Sequence, residues 1–367
     1  MSWHITKADI SYISLGARFL SSGGGGDTKT FEYLLKSLMS EKDVIEAKTA
    51  DELGDEQVIP MAVVGSPLLL SEDIPSLSDM VRTLALYEQL TDKKGEAVMP
   101  IEIGGMNALT PIVIAYLQGM PVVDGDAMGR AFPDLFMSLF SRNTETLFPL
   151  MLVSGKEEKI IRNKKEYNEQ FQPFVLENKG YAFLACHGGR GRRLVSCMVP
   201  GTLKLSRQLG LSLSSGTFRE KLNAVREDIG NSIYGQISCV CFGRVTAVKK
   251  WFEEKRLIGT CHINGFFHFA GRQAHLYFQN EFLKLALSDG KCYGVPDLII
   301  LLRQDNGQPV SVSEIREGMI VAALVISAPS ALRTEEMMRS ISPGQFGLEK
   351  LDCLPLHEGG DSDEDWD

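Results

Sequence analysis

Between residues 57 and 126 the chain alternates short apolar runs with helix-length amphipathic ones, and each apolar run ends in glycine or an acid. QVIPMAVV (57–64) runs into Gly65-Ser66-Pro67, AVMPIEI (97–103) into Gly104-Gly105, and PVV (121–123) into Asp124-Gly125-Asp126. Apolar residues at helical spacing fill the intervals, from about 77 to 90 and from 107 to 118. Pro111 falls in the first turn of the second, where a missing N–H is tolerated. Strands separated by helices cannot close as hairpins. They pair as parallel neighbours with helices across the sheet faces. Two further helices precede this unit: 7–20, with Ile10, Ile13, Leu15, Ala17 and Phe19, and 30–39, with Phe31, Leu34, Leu35 and Leu38 on one face.

From about residue 167 the texture changes. YAFLACHGG, RLVSCMVPG, QISCVCFGRVTAVKKWF, GTCHINGFFHFAG and AHLYFQNEFLKLAL are short runs rich in β-branched and aromatic residues, broken by glycine and proline. Only 201–229 interrupts them with a helical pattern. The predicted organisation is an α/β N-terminal domain with a largely parallel sheet over 1–165, then a β-rich, sandwich- or barrel-like domain over 166–356. The polar stretch 155–172 carries the boundary. The end, GGDSDEDWD, has too little to bury, so 357–367 reads as a disordered acidic tail.

A length of 367 residues with 44% hydrophobic and 23% charged residues fits a two-domain globular chain. The net charge of −9 argues against nucleic acid as a partner. No apolar run is long enough for a membrane span, and MSWHITKADI is not a secretory signal. Seven cysteines without a CxxC pair read as reduced thiols in a cytoplasm.

In open α/β sheets ligands sit beyond the carboxyl ends of the strands. Four glycine- or acid-rich turns lie at such ends or at helix starts: SSGGGGD (21–27), GSP (65–67), EIGGMN (102–107) and VVDGDAMGRAFPD (122–134). Gly24, Gly25, Gly26 and Asp27, ahead of a helix, can present bare N–H groups to an anion or oxyanion, or can serve as a joint between two helices. They form neither a P-loop nor a dinucleotide fingerprint. Glu102 ends one strand beside Gly104, Gly105 and Asn107. Asp124 and Asp126 end another, two residues apart and so on one side of extended backbone. Such acids can activate water, hold a metal or bind an amide. Asp-Gly is also plain turn chemistry. Arg130 can hold a substrate carboxylate or pair with Asp134. His187, between Cys186 and two glycines, is a candidate metal ligand or acid–base group with a first-domain carboxylate such as Asp124. His262, His268 and the basic run 189–193 read as structural or surface features.

Several stretches, LSSGGGGDTKTFEYLL, EIGGMNALTPIVIAYLQGMPVVDGDAMGRAFPDLFM, FGRV, YFQNEFLKL and VPDLIILLRQDNGQPV, resemble the S-methyl-thiohydantoin desulfurase-like family in their order, from about Lys7 to Leu354. The resemblance implies an α/β domain followed by a β-rich one. It implies a hydrolase acting on a five-membered cyclic amide or thioamide, a hydantoin or S-methyl-thiohydantoin. Glu102, Asp124 and Asp126 would activate water, directly or through one divalent metal such as zinc. The glycines would hold an oxyanion, and Asn107 and Arg130 the ring amide and a carboxylate. Two rivals stand beside it: a non-catalytic partner of a hydantoinase- or oxoprolinase-type enzyme, and a small-molecule binder. A homo-oligomer is expected.

Overall fold

The computed structural model describes residues 2–65, 69–70, 74–142, 144–253 and 256–348. The acidic tail expected over 357–367, and Ser66-Pro67 of the second turn, lie outside them.

The first layer is a mixed sheet of nine strands. Its strands are β1 (Trp3–Thr6), β2 (Val44–Lys48), β3 (Gln57–Gly65), β4 (Ala97–Pro100), β5 (Val122–Val123), β7 (Leu150–Ser154), β8 (Glu157–Ile161), β9 (Tyr181–Ala185) and the short β10 (Gly189–Arg190). The order is β1-β2-β5-β4-β3-β9-β7-β8, with β10 also on β3. The centre, β2-β5-β4-β3, is parallel as the βαβ rhythm requires, and the flanks are antiparallel. Pro60 sits inside β3, a position that normally argues against a central strand. Here the antiparallel partner changes at that point: β9 pairs with 61–65 and β10 with 57–58.

Helices α1 (Asp9–Leu20), α2 (Lys29–Leu38), α3 (Leu77–Thr91) and α4 (Thr110–Gln118) match the four predicted. The 201–229 pattern becomes α5 (Thr202–Ser214) and α6 (Phe218–Gly230). The predicted strand at 97–103 ends early because the backbone leaves the ladder. Ala127 N bonds the carbonyl of Ile101 (2.9 Å), and Ile103 N bonds the Asp126 carboxylate (3.0 Å). A two-stranded ribbon joins β6 (Gly125–Asp126) to β11 (Val199–Pro200).

The second layer is a seven-stranded antiparallel sheet, a half-barrel, of β12 (Ile237–Glu253), β13 (Arg256–Gly265), β14 (Gln273–Gln279), β15 (Glu281–Leu287), β16 (Cys292–Gly294), β17 (Leu298–Arg303) and β18 (Ile320–Ile326). It satisfies the β-rich expectation. The two layers share one core: Ile10, Ile13 and Phe19 of α1, Leu203 and Leu209 of α5, and Ile300 and Leu324 of the half-barrel form one apolar cluster. One expectation is corrected. Cys186, Cys197, Cys239, Cys241 and Cys261 are free thiols, but Cys292 is disulfide-bonded. An odd count without CxxC does not exclude a pair distant in sequence. Among the described residues no helix is long and apolar enough to cross a membrane.

Candidate active site at the glycine turn

After α1 the chain turns through Ser22, Gly23, Gly25 and Gly26, all with positive φ. Its carbonyls are clamped from two sides. Phe282 N donates to the carbonyl of Ser22 (2.7 Å), Val312 N to that of Gly23 (2.9 Å) and Met106 N to that of Gly25 (2.9 Å). The fit leaves no room for side chains. A Cβ on Gly105 would lie 2.0 Å from the Gly25 carbonyl oxygen, and one on Gly24 would lie 2.3 Å from Cγ of Glu281. The glycines thus let three segments meet: the turn itself, the 104–106 loop and the start of β15. Gly25 and Gly26 keep partial exposure, and Asp27 is exposed, accepting from Lys29 N (3.0 Å).

This crossing brings together carboxyls far apart in sequence. Asn107 fixes Glu102: its Oδ1 accepts from Val63 N (2.7 Å), while its Nδ2 donates to the Val63 carbonyl (2.9 Å) and to Glu102 Oε1 (2.7 Å). Phe132 N donates to Glu102 Oε2 (3.3 Å). Burial pushes the Glu102 carboxyl up to about 7 against these bonds, and the Asp126 charge adds to the rise. Glu281, the first residue of β15, is pushed up to about 8 by burial and then by the charge of Glu102, while Arg130 and Arg256 pull the other way. The charge of Glu102 thus disfavours ionisation of Glu281, and both carboxyls are raised toward neutrality. Glu281 Oε2 and Ser22 Oγ have no hydrogen-bond partner among the described residues.

Asp126 acts on Glu102 through its charge. Its Oδ2 accepts from Ile103 N (3.0 Å), Met128 N (2.9 Å) and Gly129 N (2.7 Å), yet full burial still pushes it up to about 7. Arg130 is buried, and each of its three guanidinium nitrogens makes a hydrogen bond. It donates from Nε to the carbonyl of Ala131 (3.1 Å), from Nη1 to that of Asp297 (2.6 Å) and from Nη2 to that of Phe282 (2.9 Å). Its donors serve the junction between layers, and Asp134 instead accepts from Phe136 N (2.8 Å).

Asp124 and His187 stand apart from this cluster. Asp124 Oδ2 accepts from Trp3 Nε1 (2.9 Å) and Oδ1 from Lys204 N (3.0 Å), in the first turn of α5. His187 Nδ1 faces the carbonyl of Glu145 (2.7 Å). Neither shares a ligand set with the other, and among the described residues no group of three or more His, Cys, Asp or Glu is arranged to hold a metal ion. The donors therefore do not fit the divalent metal that the resemblance implies. Burial pushes the Cys186 thiol far above its usual value, which keeps it from being a thiolate nucleophile. Arg192 of the basic run pairs with Asp55 (2.9 Å), and His262 packs on His275.

Sequence reasoning did not single out Glu281 or Arg256. Glu281 pairs directly with Gln279 across β14–β15, and directly paired residues share a face. A cavity of about 380 Å³ has Gln279 in its wall, along with Trp251, Arg256, Tyr277, Leu283 and Phe346. The Arg256 side chain makes no hydrogen bond or ion pair among the described residues, but it acts on both Glu281 and Asp134 through its charge. A hollow larger in volume, about 520 Å³, lies elsewhere, around Glu158, Arg162 and Glu166.

Residues 8–164 match the model of the S-Me-THD-like N-terminal domain, and residues 162–356 that of the S-Me-THD-like C-terminal domain. The chain is similar in fold to a protein from Chromobacterium violaceum solved by X-ray crystallography as a structural-genomics target. That structure has a TM-score of 0.81 at 19% identity, over 97% of this chain and 100% of the other. No curated protein matches.

Proposed function

The chain belongs to the S-Me-THD-like family, and from that premise we propose that it hydrolyses a five-membered cyclic amide or thioamide, a hydantoin or S-methyl-thiohydantoin, with Glu102 and Glu281 as its acid–base pair. The observation that carries the proposal is the pair itself: two glutamates from different layers, Glu281 buried and Glu102 partly so, Glu102 raised to about 7 and Glu281 to about 8, with the charge of Glu102 adding to the rise at Glu281. One proton shared between two carboxyls supplies a base and an acid at once near neutral pH. In the desulfurising reaction the ionised carboxyl takes a proton from water as the water oxygen bonds to the ring carbon. The protonated carboxyl gives its proton to the departing sulfur. The C–O bond forms, the C–S bond breaks, and methanethiol leaves with the ring carbonyl in place. Asn107, itself bonded to Val63 of β3, holds Glu102 in position.

The test is turnover of S-methyl-thiohydantoin and hydantoin by Glu102→Gln and Glu281→Gln. Each variant should lose at least about a hundredfold in kcat, within the range general acid–base groups supply, and the wild-type pH profile should be bell-shaped near neutrality. Undiminished kcat in both variants refutes the pair. The partner-subunit reading draws on exposed aromatic side chains, Phe252 at 69% and Phe267 at 79%. It predicts copurification with an enzyme chain and no turnover by the wild type.

A further inference from the structure

We propose that Ser22 contacts the substrate, its hydroxyl and the free carboxyl oxygen of Glu281 together taking the amide edge of the ring, the adjoining N–H and C=O. The inference deepens the acid–base reading and rests on it.

Ser22 is the one residue of the turn at 22–26 that combines a positive φ with a side chain. Gly23, Gly25 and Gly26 share the positive φ, and Ser22 has φ 51°. It follows the C-terminus of α1, where a left-handed residue is ordinarily glycine. The backbone therefore gives no reason for serine. The hydroxyl gives none within the fold either. Ser22 is fully buried, and its Oγ has no hydrogen-bond partner among the described residues. A buried, unpaired hydroxyl is unfavourable. Neighbouring Ser21 shows the contrast: its Oγ donates to the carbonyl of Arg18 (2.7 Å) and serves the helix end.

Another of the unpaired buried atoms belongs to the same crossing. Glu281 Oε2 is also buried without a partner. Phe282 N, the next residue, bonds the Ser22 carbonyl at 2.7 Å, and the Glu281 side chain lies against Gly24. A hydroxyl donates and accepts, and a carboxyl donates when protonated and accepts when ionised. A cyclic amide presents one donor and one acceptor side by side, so a single ring edge satisfies both orphaned groups.

The experiment is calorimetric titration of hydantoin, and of hydantoin methylated on both nitrogens, into wild-type protein and Ser22→Gly, with thermal unfolding of both. Glycine suits the left-handed turn, so Tm should hold or rise. Hydantoin should bind Ser22→Gly at least tenfold more weakly, and the methylated ring should bind both proteins equally weakly. Wild-type affinity for hydantoin in Ser22→Gly overturns the contact and leaves the acid–base pair standing. A lowered Tm in that variant assigns the hydroxyl to the fold and overturns it too. Failure of wild-type protein to bind hydantoin overturns the contact, while the turnover of Glu102→Gln and Glu281→Gln decides the acid–base pair.

Discussion

Replacing Glu281 by glutamine should flatten the dependence of folding stability on pH. The carboxyl moves from an ordinary 4.5 to about 8 in the folded chain, chiefly through burial. A folded-state value above the unfolded one means that the native protein binds the extra proton. The stability it contributes is then fully present below pH 4.5 and is lost as pH rises toward 8. Each pH unit in that window removes about 1.4 kcal/mol per such group, so Glu281 alone accounts for roughly 5 kcal/mol across it. Glu102 and Asp126, both raised to about 7, act in the same direction up to that pH. The wild type should therefore be most stable in mild acid and weaken steeply toward pH 8. Urea unfolding at pH 5, 6, 7 and 8 measures this directly, because Glu281→Gln keeps the shape and cannot ionise. The variant should lose stability less steeply with pH, by about 1.4 kcal/mol per pH unit, and should overtake the wild type at the alkaline end. Parallel curves would mean that Glu281 is solvated or paired in solution and does not serve as the protonated member of an acid–base pair.

Two other perturbations separate chemistry from architecture. Arg130→Met should destabilise the fold by about 3–5 kcal/mol, the range for breaking a buried charged network, because it strands the carbonyls of Ala131, Phe282 and Asp297; a change in KM without a change in stability would instead assign Arg130 to the substrate. Asp124→Asn should lower stability by about 1–2 kcal/mol, as loss of a helix-terminal cap does, and leave kcat unchanged, since the Asp124 oxygens serve Trp3 and α5; a lost kcat at unchanged Tm would restore Asp124 to the chemistry.

The parallel centre of the first sheet was legible because local pattern determines it. Apolar runs of strand length, helical spacing between them and glycines at the ends leave few other arrangements. The antiparallel flanks were not. Trp3–Thr6 and Val44–Lys48 are short, with exposed residues alternating with buried ones, and only pairing with a neighbour makes them strands. Tyr181–Ala185 has the composition of the β-rich half yet enters the first sheet through β3 and β7, a choice that no local signal carries.

The same division runs through the site. Glu102, Asn107 and the glycine turn announce themselves because their roles depend on nearby backbone: a strand end, a left-handed turn, a close crossing. Glu281 depends on a partner 179 residues away, and composition hides it in a strand, EFLKLAL. One sign was present nonetheless. Every residue of β15 except Ala286 is buried, so neither face of the strand is a solvent face on which an acid could rest. A glutamate there must be neutral, paired or poised for a ligand. Arg130 spends its hydrogen bonds on carbonyls among the described residues, and Glu102 raises the Glu281 pKa rather than lowering it. A neutral carboxyl held beside an ionisable one, at the only turn residue that keeps an unpaired hydroxyl at positive φ, is poorly explained as architecture and well explained as acid–base chemistry.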